Sequence, residues 1–216
     1  MHSAKLQKVS TASIGISGLC STNSPDPLSK CSGVLCLVVG PSGVGKDSLI
    51  DGARAAFGGR PQFVFPTRII TRAANAGGED YRAITEDDFV REEAAGTFAL
   101  SWWAHELAYA IPGSISSDLS VGRVVTVNAS RAILNQARRQ FEKVRVISVR
   151  APEEVLAQRL AKRGRESNAD IQKRLDRAMA YEVEGPDVIE ILNDGTLERA
   201  VKRFVDLLSE AAYSPN

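Results

Sequence analysis

A chain of 216 residues, 44% hydrophobic and 25% charged with a formal net charge of +1, has the length and apolar content for one α/β domain with a substantial core. That near-neutral balance gives no argument for nucleic-acid or membrane-surface binding, and no apolar run approaches the length that spans a bilayer. Cys20, Cys31 and Cys36, the last inside an apolar run, argue against a disulfide framework and for a reducing, cytoplasmic setting.

Residues 1–32 read as a disordered extension rich in Ser, Thr, Gly and Pro, with Ser24-Pro25-Asp26-Pro27 blocking regular structure. From residue 33 to 213 the pattern alternates. Val34-Leu35-Cys36-Leu37-Val38-Val39 predicts a strand buried on both faces, and 49–57 a helix stopped by Gly58-Gly59. Short extended stretches follow at 62–65 and 67–72, then a small-residue loop at 73–78 and Glu79-Asp80-Tyr81. Thr85 is placed to cap an acidic helix through 95. Residues 98–103 and 107–111 read as paired strands, 113–121 as a short helix and 123–127 as a buried strand leading into Asn128. Helices at 132–141, 152–162, 169–183 and 196–211 then alternate with strands at 144–149 and 188–192. Such alternation predicts a parallel sheet covered on both faces.

The chemistry sits at the first strand–helix junction. Gly40-Pro41-Ser42-Gly43-Val44-Gly45-Lys46 has the spacing of a phosphate-binding loop: glycines let backbone N–H groups curl toward phosphate oxygens, the helix N-terminus adds positive potential, and Lys46 adds a charge. One position departs from the usual Gly-Lys-Ser/Thr. Asp47 follows the lysine and Ser48 comes next, and both offer hard oxygen ligands for Mg²⁺. A second constellation comprises Arg159 and Arg163, four apart on one helix face, with Arg165 and Arg174 around a polar break at 164–168. Beside a phosphate loop these form an arginine-bearing lid, since guanidinium forks suit transferring phosphoryl oxygens. The plainer reading is a solvated face paired with Glu153, Glu154 and Glu166.

The loop, Ile70-Thr71-Arg72 with Gly78-Glu79-Asp80-Tyr81, Arg159-Leu160 with Arg163-Gly164-Arg165-Glu166-Ser167, and Lys173-Arg174-Leu175 together resemble the guanylate kinase-like family. That resemblance implies a P-loop fold of nucleoside-monophosphate-kinase type: a parallel core sheet, a substrate subdomain at about 67–111 and a lid at about 163–169. Three departures stand out. Asn75 or a neighbour takes the place of the family's second acceptor arginine, Leu100 or Ser101 that of its guanine-reading carboxylate, and Thr126 and Asn128 that of its acidic pair. Leu or Ser would leave a guanine edge unpaired, which disfavours a guanine acceptor.

The same departures are similar to those of the ribose 1,5-bisphosphate phosphokinases of phosphonate breakdown. The matching segments are Gly45-Lys46-Asp47-Ser48, Ala99-Leu100-Ser101-Trp102, Val127-Asn128-Ala129-Ser130-Arg131 and Asn193-Asp194-Gly195. What the resemblance implies is phosphoryl transfer from Mg²⁺-ATP to the 1-phosphate of ribose 1,5-bisphosphate, a phosphorylated sugar, giving 5-phosphoribosyl 1-diphosphate and ADP, with neither nucleic acid nor membrane as partner and no oligomeric state specified. By that likeness Gly40, Pro41, Ser42, Gly43, Val44, Gly45, Lys46, Asp47 and Ser48 hold ATP and the metal. Lys46, Arg159, Arg163 and Arg174 act on the transferring group. Arg72, Asp80, Tyr81, Ser101, Asn128, Ser130 and Arg131 receive the acceptor. The competing readings are guanylate kinase itself and an inactive guanylate-kinase-like binding module.

Overall fold

The computed structural model of the chain describes residues 32–74, 80–162, 172, 175–176 and 182–213. β1 (Val34–Val39) leads through the loop into α1 (Lys46–Phe57), followed by β2 (Phe63–Val64), β3 (Arg68–Ile70), β4 (Tyr81–Ala83) and α2 (Glu86–Ala94). A hairpin of β5 (Phe98–Ala104) and β6 (Leu107–Pro112) comes next, then α3 (Ile115–Ser120) and β7 (Val124–Asn128). A 3-10 turn at Arg131–Ile133 enters α4 (Leu134–Gln140), and β8 (Val144–Arg150), α5 (Glu153–Lys162), β9 (Val188–Leu192) and α6 (Leu197–Tyr213) follow.

The larger sheet has the order β2-β7-β1-β8-β9, every described pair parallel. β1 lies in the middle and is apolar throughout because each of its faces meets a packed layer. Cys36 and Val38 point into one cluster with Leu49, Ala53 and Phe57 of α1 and Phe204 and Leu208 of α6. Leu35, Leu37 and Val39 point the other way, onto Ile133, Leu134 and Ala137 around α4 and onto the smaller sheet.

That smaller sheet has the order β4-β3-β6-β5. Its β5–β6 hairpin turns on His105 and Glu106, both with left-handed φ (52° and 60°), the twist that a two-residue hairpin turn needs. Ile70, Leu100, Trp102, Tyr109 and Ile111 give it an apolar face toward the core, while Ile69, Ala108 and Ala110 pack on Phe89 of α2. The Thr85 side chain accepts from the Asp88 N–H at 3.1 Å and so caps α2, as the sequence predicts. β4 was not anticipated: Tyr81–Ala83, read from sequence as the end of a loop, pairs in parallel with β3. The expected tail at 1–32 falls outside the described residues except for its last position, and so does the lid at 163–169.

Candidate active site

β1 ends at Val39 and the chain turns sharply, with Gly40, Gly43 and Gly45 at φ of 146°, 89° and 100°, conformations that favour glycine. Gly45 is the N-cap of α1, whose first residues are Lys46, Asp47 and Ser48. Lys46 Nζ donates to the carbonyls of Gly40 (2.8 Å) and Pro41 (3.1 Å), folding the lysine across the loop it belongs to. Val44 is fully buried and anchors the loop from below, whereas Ser42, Asp47 and Ser48 are exposed at its rim.

The neighbouring strands deliver their C-terminal ends to this same edge, the usual place for a site on a parallel sheet. From β7, Asn128 Nδ2 donates to Asp47 Oδ1 at 2.6 Å. Just beyond, the Ser130 side chain accepts from the Ala132 N–H at 3.2 Å and caps the 3-10 turn that carries Arg131. From α5, Arg159 Nη1 donates to the Val44 carbonyl at 3.3 Å. A narrow crevice bounded by Gly40, Pro41, Arg131, Ser148, Arg150 and Glu190 connects the loop with Arg131. The loop, Asn128, Ser130, Arg131 and Arg159 therefore gather at one edge of the sheet. Arg163 and Arg174 lie outside the described residues.

Arg72, Asp80 and Tyr81 form a second group on the smaller sheet. The Arg72 guanidinium sits 5.5 Å from the centre of the Tyr81 ring, and the Tyr81 hydroxyl donates to the Ala73 carbonyl. Arg72 lines a groove of 590 Å³ with Thr71, Arg82 and Thr85, and Asp80 is exposed beside Tyr81. Ser101 does not join this group. Its hydroxyl donates to Glu93 of α2 at 2.5 Å, and it shares a face of β5 with Trp103, whose ring meets Phe89. The opposite face carries Trp102, stacked on Tyr109 with ring centres 5.4 Å apart, and Arg68 lies 5.4 Å over that Tyr109 ring.

The donor set suits an anionic phosphate chain with a hard cation. Lys46, Arg159 and Arg131 supply positive charge, and Asp47 and Ser48 supply hard oxygens. Among the described residues no cluster of three His, Cys, Asp or Glu side chains could hold a metal by itself, so a cation here would complete its shell with phosphate oxygens and water, as Mg²⁺ commonly does. Sequence reasoning quoted Asn193 in a matching segment but gave it no site role; its Nδ2 donates to the Val44 carbonyl at 2.8 Å. Its position directly after the last core strand was the available signal.

No protein-family model matches the chain. It is 42% identical over 180 residues to the ribose 1,5-bisphosphate phosphokinase PhnN of Agrobacterium fabrum, covering 83% of this chain and 98% of that protein. The chain belongs to the ribose 1,5-bisphosphate phosphokinase family. Its similarity extends to the bifunctional ribose 1,5-bisphosphokinase-thymidine phosphorylase of Cupriavidus pinatubonensis, 44% identical over 183 residues. That match takes in 85% of this chain but only 30% of that longer relative. Among solved structures, the guanylate kinase of Anaplasma phagocytophilum superposes with a TM-score of 0.58 at 19% identity, over 86% of this chain and 89% of the other. The phosphokinase family fold seen here is thus guanylate-kinase-like. No helix among the described residues is long and apolar enough to cross a membrane.

Proposed function

We propose that this chain transfers the γ-phosphoryl group of ATP to the 1-phosphate of ribose 1,5-bisphosphate, giving 5-phospho-α-D-ribose 1-diphosphate and ADP. The observation that carries the reading is the 42% identity to a phosphokinase of that name along 98% of its length, together with an intact loop lysine at position 46. An oxygen of the acceptor's 1-phosphate forms the new bond to the γ-phosphorus, the bond from that phosphorus to the β-phosphate oxygen breaks, and ADP carries the electron pair away. A phosphate acceptor is already ionised at neutral pH, so the protein needs to position and neutralise charge rather than supply a base.

In this reading the loop from Gly40 to Ser48 cradles the ATP phosphates and Lys46 turns from its own loop carbonyls toward them. Asp47 and Ser48 serve Mg²⁺, which when bound neutralises charge on the phosphates. Arg159 exchanges the Val44 carbonyl for the transferring group, joined by Arg163 and Arg174 on sequence grounds. Asn128, Ser130 and Arg131 at the end of β7, and Arg72, Asp80 and Tyr81 on the substrate subdomain, receive the sugar bisphosphate. Ser101, turned toward α2, is left out. Guanylate kinase activity is disfavoured physically, since position 100 is a buried leucine and the carboxylate that Ser101 meets is on the α2 side of β5.

The test is ADP release by purified protein with Mg²⁺-ATP, comparing ribose 1,5-bisphosphate with GMP at equal concentration. Turnover with the bisphosphate alone is expected, and turnover with GMP alone would overturn the assignment. Lys46→Ala should keep the fold, by circular dichroism, while kcat falls roughly 100-fold or more.

A further inference from the structure

The segment leaving β9 has a place in this site that the transfer chemistry does not use. Asn193, its first residue, is 3% exposed, and its backbone N–H donates to the Arg150 carbonyl at 2.7 Å. Its Nδ2 donates to the Val44 carbonyl at 2.8 Å, the same oxygen that accepts from Arg159 at 3.3 Å. It also fills the space beside the next residue of the loop, where a Cβ on Gly45 would stand 2.6 Å from Nδ2.

The two donors to that carbonyl are unequal. Arg159 is a long cation, and a phosphate oxyanion outbids a neutral carbonyl for its guanidinium because the charged hydrogen bond is the stronger one. Asn193 is short, buried and tied to β8 through its own backbone, with no charge to draw it away. Its Oδ1 is buried without a partner among the described residues. A buried amide satisfied on one side only costs stability, so packing gives no reason for an asparagine here.

We propose that Asn193 is a positioning residue for nucleotide binding: it pins the Val44 carbonyl, and with it the shape of the phosphate loop, whether or not Arg159 stays on that oxygen. This rests on the reading that the ATP phosphates lie in the loop, and not on the identity of the acceptor.

Two variants test it. Asn193→Asp keeps the shape but turns an acceptor toward the carbonyl, and Asn193→Ala removes both polar atoms. Binding of Mg²⁺-ADP and of ribose 1,5-bisphosphate is measured separately by calorimetry, with amide hydrogen exchange on the nucleotide-free protein. Both variants should bind Mg²⁺-ADP roughly tenfold more weakly or worse, with bisphosphate affinity held within about twofold. Loop amides 40–48 should exchange faster while those of β1 and β8 keep their wild-type rates. Mg²⁺-ADP affinity within about twofold of wild type overturns the proposal, and so does a parallel loss of both affinities with general loss of protection. If Asn193→Asp does not fold, Asn193→Ala decides; if neither folds, the residue is structural and the proposal fails. Wild-type protein that binds Mg²⁺-ADP but never turns over the bisphosphate would sink the acceptor assignment and leave this test readable.

Discussion

Asp47 puts a carboxylate in the first turn of α1, where the helix dipole favours negative charge, and Asn128 holds one of its oxygens at 2.6 Å. Among the described residues that bond takes one carboxylate oxygen and leaves the second for a ligand. Replacing Asp47 by Ser restores the usual loop chemistry but removes a full charge, so half-maximal activity should require several-fold more Mg²⁺. An unchanged titration would take Asp47 out of the metal's surroundings. The odd aspartate was legible from spacing alone, but its partner was not, because 81 residues separate the two and only strand order brings them together. Cys36 was equally legible as a buried thiol. Burial pushes it up from 9.0 to about 12, against a smaller opposite pull from Arg145. The unfolded thiol loses its proton near 9 and the folded one keeps it to about 12, so the unfolded state binds fewer protons in that window and stability falls as pH rises. Denaturant unfolding at pH 8 and pH 10 should show wild type losing on the order of 1 kcal/mol more than Cys36→Ala over that interval.

Between elements, α1 and α6 approach closely at a glycine. A Cβ on Gly52 would stand 2.5 Å from Val201 Cγ2 and 2.9 Å from Cγ1, and a β-branched side chain in a helix has little freedom to yield. Gly52→Ala therefore sets a helix-propensity gain of about 1 kcal/mol against overpacking of about 1–3 kcal/mol. The expected result is a lower melting temperature, by about 2–4 °C for each net kcal/mol lost, with recovery in Gly52→Ala/Val201→Ala. Melting above wild type would mean that the helices separate freely. At this scale the sequence spoke clearly wherever a run was apolar or capped, as in β1 or at Thr85. It was silent on β4, whose three residues are partly or fully exposed and lack a repeating pattern. Nor did it show that pairing on β5 shifts between Phe98 and Leu100, which sets the face on which Ser101 meets Glu93 of α2.

Across the molecule, the smaller sheet is bound to the larger one by more than chain connection. Leu100, Trp102, Tyr109 and Ile111 share one apolar cluster with Leu35, Leu37, Val39, Val125 and Val127, and Gln140 Nε2 of α4 donates to the Ala99 carbonyl of β5 at 2.8 Å. Both tryptophans of the chain stand on β5, so their fluorescence reports the smaller sheet while far-ultraviolet circular dichroism reports the whole. The two thermal transitions should coincide. Tryptophan emission shifting several degrees earlier would mean that the smaller sheet melts by itself.

The register of β1 also constrains how the protein is made. The strand that feeds the phosphate loop finds its partners only at residues 124–128 and 144–148. During synthesis, Val34 to Val39 leave the ribosome long before either neighbour exists, and such long-range pairing is slow and exposed to aggregation. A nascent chain halted before β7 presents an unpaired apolar strand for chaperones to bind, and its Cys36 thiol stays open to alkylation until α6, whose Phe204 and Leu208 cover it, has emerged.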